Sequence, residues 1–378
     1  MKIISLGGCG AMGRATSWEL AENDAVDNLV IADADINSAD EFAAELPGDT
    51  ATTRIDVTDH EGLVETIVDA DVVANALPYG FNVAVMEACL DAKCHYLDLG
   101  GLYHKTQEQL EYDDRFADAG LTAVLGIGAS PGLTNVATAM AVSHLDEVES
   151  IHIRTGARGG GEGFAYSAKT ILDELTMNPV VYEDGEYQTL DPLSGRETYT
   201  MPSPVGEVEG FHSIHSELAT MPNTFSGVND VDFRVAFSPD LVNICDVLIG
   251  LNLTDEETVE YKNVETSPRE FLDWHLDRQP KPGPTEEWKS FRVDVTGIEN
   301  GDHAKYRYST VVESRLDDWG LKATAVWTGV PMGIAAVLVG QGDVISAGAK
   351  PPEELFDPKQ FIEELADREI IIEGEQIE

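Results

Sequence analysis

Along the first third of the chain, short apolar runs alternate with stretches whose apolar residues recur every three to four positions. Ile3-Ile4-Ser5-Leu6 reads as a strand, and Ala11 to Ala21 as the helix that follows it. Leu29 to Asp33, Ala51 to Val57, Asp71 to Asn75, His95 to Asp98 and Thr122 to Leu125 continue the strands. Ser38 to Leu46, His60 to Val68 and Asn82 to Ala92 carry the helical spacing between them. Short apolar strands separated by helices imply parallel βαβ units covered on both faces. Residues 1–128 are therefore expected to form a doubly wound α/β domain.

From about Val148 the texture changes. Glu149 to Arg154, Asp232 to Phe237, Val247 to Leu253, Phe291 to Gly297 and Tyr306 to Glu313 alternate apolar and polar residues, the signature of antiparallel strands with one buried face. Gly- and Pro-rich connections separate them, including Arg158 to Gly163 and Pro280 to Pro284. Gly333 to Gly340 and Pro358 to Leu365 read as closing helices. The expected organisation is a second, α+β mixed-sheet domain over 129–327, then a C-terminal segment, 328–378, whose helices return to the first domain. A length of 378 residues agrees with two cores, because single cores stop growing at about 250–300 residues.

Composition changes the picture in one respect. The chain has 69 acidic residues against 24 Lys or Arg, a formal charge of −45 spread from end to end. Self-repulsion on that scale strains a compact fold in dilute buffer and is screened by salt, so the surface reads as a halophile's. Nucleic acid is excluded as a partner, since its binding needs basic clusters that neutralise phosphates. The charge-free run Gly329 to Gly340 falls short of the about 20 residues a membrane helix needs. The first residues lead straight into a glycine motif, leaving no room for a signal peptide, and a cytoplasmic protein without membrane contact is expected. The four cysteines, Cys9, Cys89, Cys94 and Cys245, form no CxxC pair and no zinc spacing, and no metal is expected.

The sharpest chemical signal is Gly8-Cys9-Gly10-Ala11-Met12-Gly13, a G-x-G-x-x-G between the first strand and its helix. Gly8 permits the tight turn, Gly10 admits a pyrophosphate to the backbone, and Gly13 lets helix and sheet approach; the helix N-terminus favours the anion. Asp33 closes the second strand 20 residues beyond Gly13, where a carboxylate accepts hydrogen bonds from ribose hydroxyls and repels a 2′-phosphate. A Rossmann dinucleotide site follows, with NAD favoured and NADP possible. Asp56, ending the third strand, is a candidate for the adenine side. The loop Asn75 to Asn82 places Asn75, Leu77 and Pro78 as cofactor contacts and Tyr79 toward substrate. The Gly126 to Asn135 loop follows the last strand of this domain and offers Asn135 as a substrate contact.

The glycine loop, Asp33, the Asn75 to Asn82 loop, His95-Tyr96-Leu97-Asp98-Leu99 and Pro131-Gly132-Leu133-Thr134-Asn135 together resemble the saccharopine dehydrogenase/reductase-like family, which includes lysine 6-dehydrogenase and carboxynorspermidine synthase. The tail from Thr328-Gly329-Val330-Pro331 to Pro351-Pro352-Glu353 is similar to the family's returning C-terminal segment. The resemblance implies an NAD(P)-dependent oxidoreductase acting on a carbon–nitrogen bond of an amino acid or polyamine, usually as a homodimer. Oxidative deamination of the lysine 6-dehydrogenase type is the leading expectation. A synthase that reductively joins an amine to an aldehyde or keto acid is the alternative, and a non-catalytic NAD-binding redox sensor is the reading of another class.

Hydride leaves a carbon only when the attached nitrogen carries a free lone pair, so such chemistry needs a base near the cleft. Tyr96 and Asp98, at the carboxyl end of a strand, are candidates. Phe211 to Glu217 resembles a family segment near the substrate and adds His215 and Glu217. Arg158, ahead of three glycines, is a candidate for holding a substrate carboxylate in a bidentate fork. Tyr166-Ser167-Ala168-Lys169 is one residue short of a Y-x-x-x-K pair and is set aside.

Overall fold

The computed structural model describes residues 1–161, 167–276, 278, 279, 283 and 285–378. Tyr166, the end of the glycine-rich run at Glu162 and Gly163, and most of the Pro280 to Pro284 connection lie outside the described residues.

The first domain is built on six parallel strands in chain order: β1 (Lys2–Leu6), β2 (Asn28–Asp33), β3 (Ala51–Arg54), β4 (Val72–Asn75), β5 (His95–Asp98) and β6 (Thr122–Val124). A seventh, Gly348–Lys350, comes from the far end of the chain and pairs with β6. Reading across the sheet the order is Gly348–Lys350, β6, β5, β4, β1, β2, β3. The chain therefore reverses its direction of progress between β1 and β4, and a crevice opens there at the carboxyl ends of the strands. Ile3, Val72, Ala74 and Leu97 face one core and Ile4, Leu6, Val73 and Tyr96 the other, which is why these strands read as continuous apolar runs rather than alternating ones.

The described residues of the second domain form a nine-stranded mixed sheet. Its centre is the long strand β7 (Glu147–Gly159), flanked antiparallel by Glu287–Glu299 and parallel by Asp230–Val235. Asp302–Glu313 extends it on one side and Glu207–His212 on the other. Ile151, Ile153, Phe233, Phe291, Val293 and Val295 form its buried face, while Arg154, Arg234 and Arg292 lie in register on the opposite one.

Three expectations need correction. Val247 to Leu253 is not a strand; it overlaps the helix Pro239–Gly250. Ser238 caps that helix by accepting from the Leu241 N–H, and Pro239 sits where a missing N–H costs nothing. Leu241, Val242, Cys245, Leu248 and Ile249 then face the core at helical spacing. The charge-free run near the C-terminus begins at Ala323, not Gly329, and the resulting 19-residue helix Ala323–Gln341 is long and apolar enough to cross a membrane. It is buried almost throughout, as an apolar-all-round helix in a large core should be. Its Gly329 lies so close to the first helix, Gly13–Ala21, that a Cβ there would stand 2.6 Å from Ala15 Cβ. Finally, the C-terminal segment divides: Gly348–Lys350 joins the first sheet, but the last strand, Ile372–Gln376, pairs with Tyr306 to Thr310 in the second.

Candidate active site

A cleft of about 460 Å³ opens where the carboxyl ends of β1, β4 and β5 face the buried side of the second sheet. The glycine turn forms one wall. The Gly10 N–H donates to Gly7 O at 2.9 Å, and Ser17 Oγ clamps the Gly8 carbonyl at 3.0 Å. A Cβ on Gly13 would lie 2.2 Å from Gly7 O, so only glycine lets the helix start this close to the strand. Asp33 lies beside the turn, half-buried, and its carboxylate accepts from Cys9 Sγ at 3.0 Å and from the Asp35 N–H at 3.1 Å. Burial, then the neighbouring Asp33, pushes the Cys9 thiol up to about 12, so it stays protonated as the donor. No basic side chain pairs with Asp33 among the described residues. This glycine turn, close against its helix, and a carboxylate without a basic partner at the second strand's end fit a dinucleotide.

The second wall is the loop after β4. Asn75 is buried beneath it. Its Oδ1 accepts from the Leu77 N–H at 3.2 Å, and its Nδ2 reaches Asn82 Oδ1 at 3.1 Å and Tyr96 Oη at 3.2 Å. Asn75 thus shapes the loop, while Leu77, Pro78 and Tyr79 line the cleft. The Tyr79 hydroxyl donates to Asp173 Oδ2 at 2.6 Å, and burial followed by that carboxylate raises its pKa further above the usual phenol value. Asp173, in the helix Ala168–Thr176, also accepts from Lys169 at 3.2 Å and from Arg269 at 2.5 Å. The loop is therefore tied to the second domain through one buried carboxylate.

Tyr96 and Asp98 do not line this cleft. Tyr96 is fully buried and donates to Asp98 Oδ2 at 2.8 Å. Asp98 in turn accepts from the N–H groups of Gly100 and Gly126, both at 2.8 Å, and from Gln109. Burial raises the Asp98 pKa against the pull of these donors. Its visible work is to fix two loop backbones, one of which, Gly100, does line the cleft.

His215 and Glu217 form a hydrogen-bonded pair at the cleft, with His215 in its wall and Glu217 buried behind it. His215 lines the cleft, stacked on Phe233 with centroids 3.9 Å apart. Its Nδ1 is hydrogen-bonded to Glu217 Oε2. Glu217 has no solvent exposure, and its Oε1 accepts from Ser130 Oγ at 2.6 Å and Thr134 Oγ1 at 2.7 Å. Burial alone would lower the imidazole pKa, but the Glu217 charge and hydrogen bond outweigh it and leave His215 raised. Burial likewise opposes ionisation of Glu217, and His215 with the two hydroxyls outweighs that, leaving its carboxyl lowered. An oriented imidazole with an elevated pKa, set in a cleft, is a competent proton donor and acceptor.

The remaining candidates lie elsewhere. Asn135 caps the Gly132 turn, accepting from Gly132 N–H at 2.9 Å, and its Nδ2 donates to Glu353 at 2.7 Å. The Asp56 carboxylate accepts from the N–H and hydroxyl of Thr58 in an exposed turn. Arg158 points away from the cleft, onto Pro204 O at 2.9 Å. Alternation along β7 explains this, because residues 154, 156 and 158 share the face opposite the buried Ile151 and Ile153. Sequence reasoning passed over Glu174, Lys289 and Trp327, all in the cleft wall. Lys289 carried a signal: it continues the inward row Phe291, Val293, Val295, where an apolar residue is expected.

A Rossmann glycine turn facing a second domain across a cleft is the arrangement of a dinucleotide-binding enzyme. The chain belongs to the saccharopine dehydrogenase family: residues 3–124 match the saccharopine dehydrogenase NADP binding domain and residues 128–371 the saccharopine dehydrogenase C-terminal domain. It is accordingly an NAD(P)-dependent oxidoreductase of carbon–nitrogen bonds. Among curated proteins it is 28% identical to carboxyaminopropylagmatine dehydrogenase from Synechocystis sp., over 97% of this chain and 96% of that one. It is 26% identical to carboxynorspermidine synthase from Vibrio cholerae, over 96% and 94%. Among solved structures, a saccharopine dehydrogenase (L-Glu forming) from Saccharomyces cerevisiae shares the fold over the full length of both chains, with a TM-score of 0.75 at 16% identity.

Proposed function

We propose that this protein is a reductive synthase, joining an amine to a carbonyl compound to give a carboxylated polyamine as a secondary amine. The observation that carries this reading is His215, in the wall of the cleft between the two domains and hydrogen-bonded to the buried Glu217. Full-length similarity to proteins named for carboxyaminopropylagmatine and carboxynorspermidine supports it over the deamination of lysine that the sequence favoured.

Amine and carbonyl condense with loss of water, and the resulting imine accepts hydride readily only when its nitrogen is protonated. His215, held protonated by Glu217, is the donor of that proton. Glu217 keeps the ring in orientation and its charge balanced, and Ser130 and Thr134 satisfy the oxygen that the ring does not use. Gly8, Gly10 and Gly13 with Asp33 would hold the dinucleotide, Ala11 and Met12 border the cleft, and Leu77, Pro78 and Tyr79 close it from the other side. Bound there, the nicotinamide supplies hydride.

The test is product identification. Incubated with NADH or NADPH, a diamine and an amino-acid aldehyde or keto acid, the protein should yield a species whose mass equals the two reactants minus water plus two hydrogens. Its absence across such pairs, with lysine and NAD alone giving NADH, would replace this reading by deamination.

A further inference from the structure

Among the described residues, the cleft wall carries a cation that the proposed chemistry does not use. Lys289 lies on the strand Glu287–Glu299, at the point where its inward-facing row leaves the core and enters the cleft. Phe291, Val293 and Val295 of that row are fully buried. No carboxylate lies within 4 Å of the Lys289 ammonium among the described residues, in a chain with 69 acidic residues to pair with. The ammonium stands over the face of Trp327, 5.7 Å from the ring centroid, and Trp327 also lines the cleft. An ammonium set in a cleft wall without a paired carboxylate is placed to receive an anionic ligand.

The opposite sign is present as well. Glu174, on the helix Ala168–Thr176, is buried in the cleft wall, and its charge is felt at His215. One wall is thus cationic and another anionic, with the imidazole between them in role. A purely cationic polyamine would be repelled by Lys289.

We infer that Lys289 is the carboxylate-recognition residue of the cleft, selecting a carboxylated substrate over one that lacks the carboxylate. This rests on the reading of the protein as a synthase of carboxylated polyamines, and it names the residue that tells such a compound from the plain polyamine. A charge-assisted hydrogen bond formed away from bulk water is worth enough to give a tenfold or greater preference.

The experiment is calorimetric titration of the full-length, NADH-loaded protein in about 1 M KCl with carboxynorspermidine and with norspermidine, which differ by one carboxylate. The wild type should bind the carboxylated probe at least tenfold tighter. Lys289→Met should abolish that preference, Lys289→Arg should retain most of it, and NADH affinity should be unchanged in both, which also reports an intact fold. Equal binding of the two probes by the wild type, no binding of either, or a preference that survives Lys289→Met would overturn the inference. A loss of NADH affinity in Lys289→Met would assign the cation to the cofactor and overturn it too. Product formation is measured separately, so a protein that shows the preference but makes no secondary amine would sink the synthase reading and leave Lys289's role standing.

Discussion

Glu217 engages His215 with one carboxylate oxygen and the hydroxyls of Ser130 and Thr134, at 2.6 and 2.7 Å, with the other. The consequence is an imidazole whose pKa is raised although the ring is buried. In the reductive direction the protonated ring is the working form, so activity should fall as pH rises through that pKa. Glu217→Gln removes the charge that holds the proton, and the alkaline limb of the pH profile should move to lower pH. His215→Gln should lower kcat by about 10²-fold or more, the usual weight of a positioned acid. Cofactor affinity, read by NADH fluorescence, should not change in either.

Asp98 gives a contrasting case. Its oxygens accept from two loop N–H groups, Tyr96 and Gln109, so Asp98→Asn should act on the fold first. The expected outcome is a loss of about 1–3 kcal/mol in stability, from a donor facing a donor, with kcat falling far less than in His215→Gln. A collapse of turnover at unchanged melting temperature would restore Asp98 to the catalytic list.

Asp33 tests cofactor choice. Its carboxylate stands at the end of β2 beside the glycine turn, with Cys9 as donor and no basic partner among the described residues. Asp33→Ala should weaken NADH by about tenfold or more, the scale of losing charge-assisted hydrogen bonds, and should leave NADPH affinity equal or improved. Equal losses for both cofactors would argue against contact with the ribose.

Glu353 predicts a pH dependence of stability. It is buried, accepting from Thr220 Oγ1 and Asn135 Nδ2, both at 2.7 Å, and burial raises its pKa from 4.5 to about 7. A carboxyl raised in the folded state binds its proton more tightly there than in the unfolded chain. Its stabilising proton is fully retained below about pH 4.5 and lost as pH rises through 7. The loss is on the order of 3 kcal/mol. Glu353→Gln should be more stable than wild type in urea at pH 8, with the difference shrinking toward pH 5.

How much of this was legible beforehand follows from where each signal sits. The first domain could be read because its information is local: apolar runs, helical spacing, the glycine turn and an acid at the end of the second strand. Helix Asn82–Ala92 and strand His95–Asp98 lie where the pattern puts them. The second domain was harder, since Val247 to Leu253 alternates locally while the cap at Ser238 commits the segment to a helix. Tyr96 and Asp98 sit at the right strand end, but whether such a side chain meets the cleft or the loops is decided by Gly126 and Gln109, which are distant in sequence. Lys289 is a tertiary fact altogether: only pairing in register with β7 places it on the inward face.

The central claim, reductive joining of two substrates, is tested most directly by following NADH and NADPH absorbance in about 1 M KCl, where long-range repulsion among surface acids is screened. Oxidation should require an amine and a carbonyl compound together, with neither alone sufficing, and should be lost in His215→Gln. NADH formation from lysine and NAD alone, with no consumption in any amine–carbonyl pair, would contradict it.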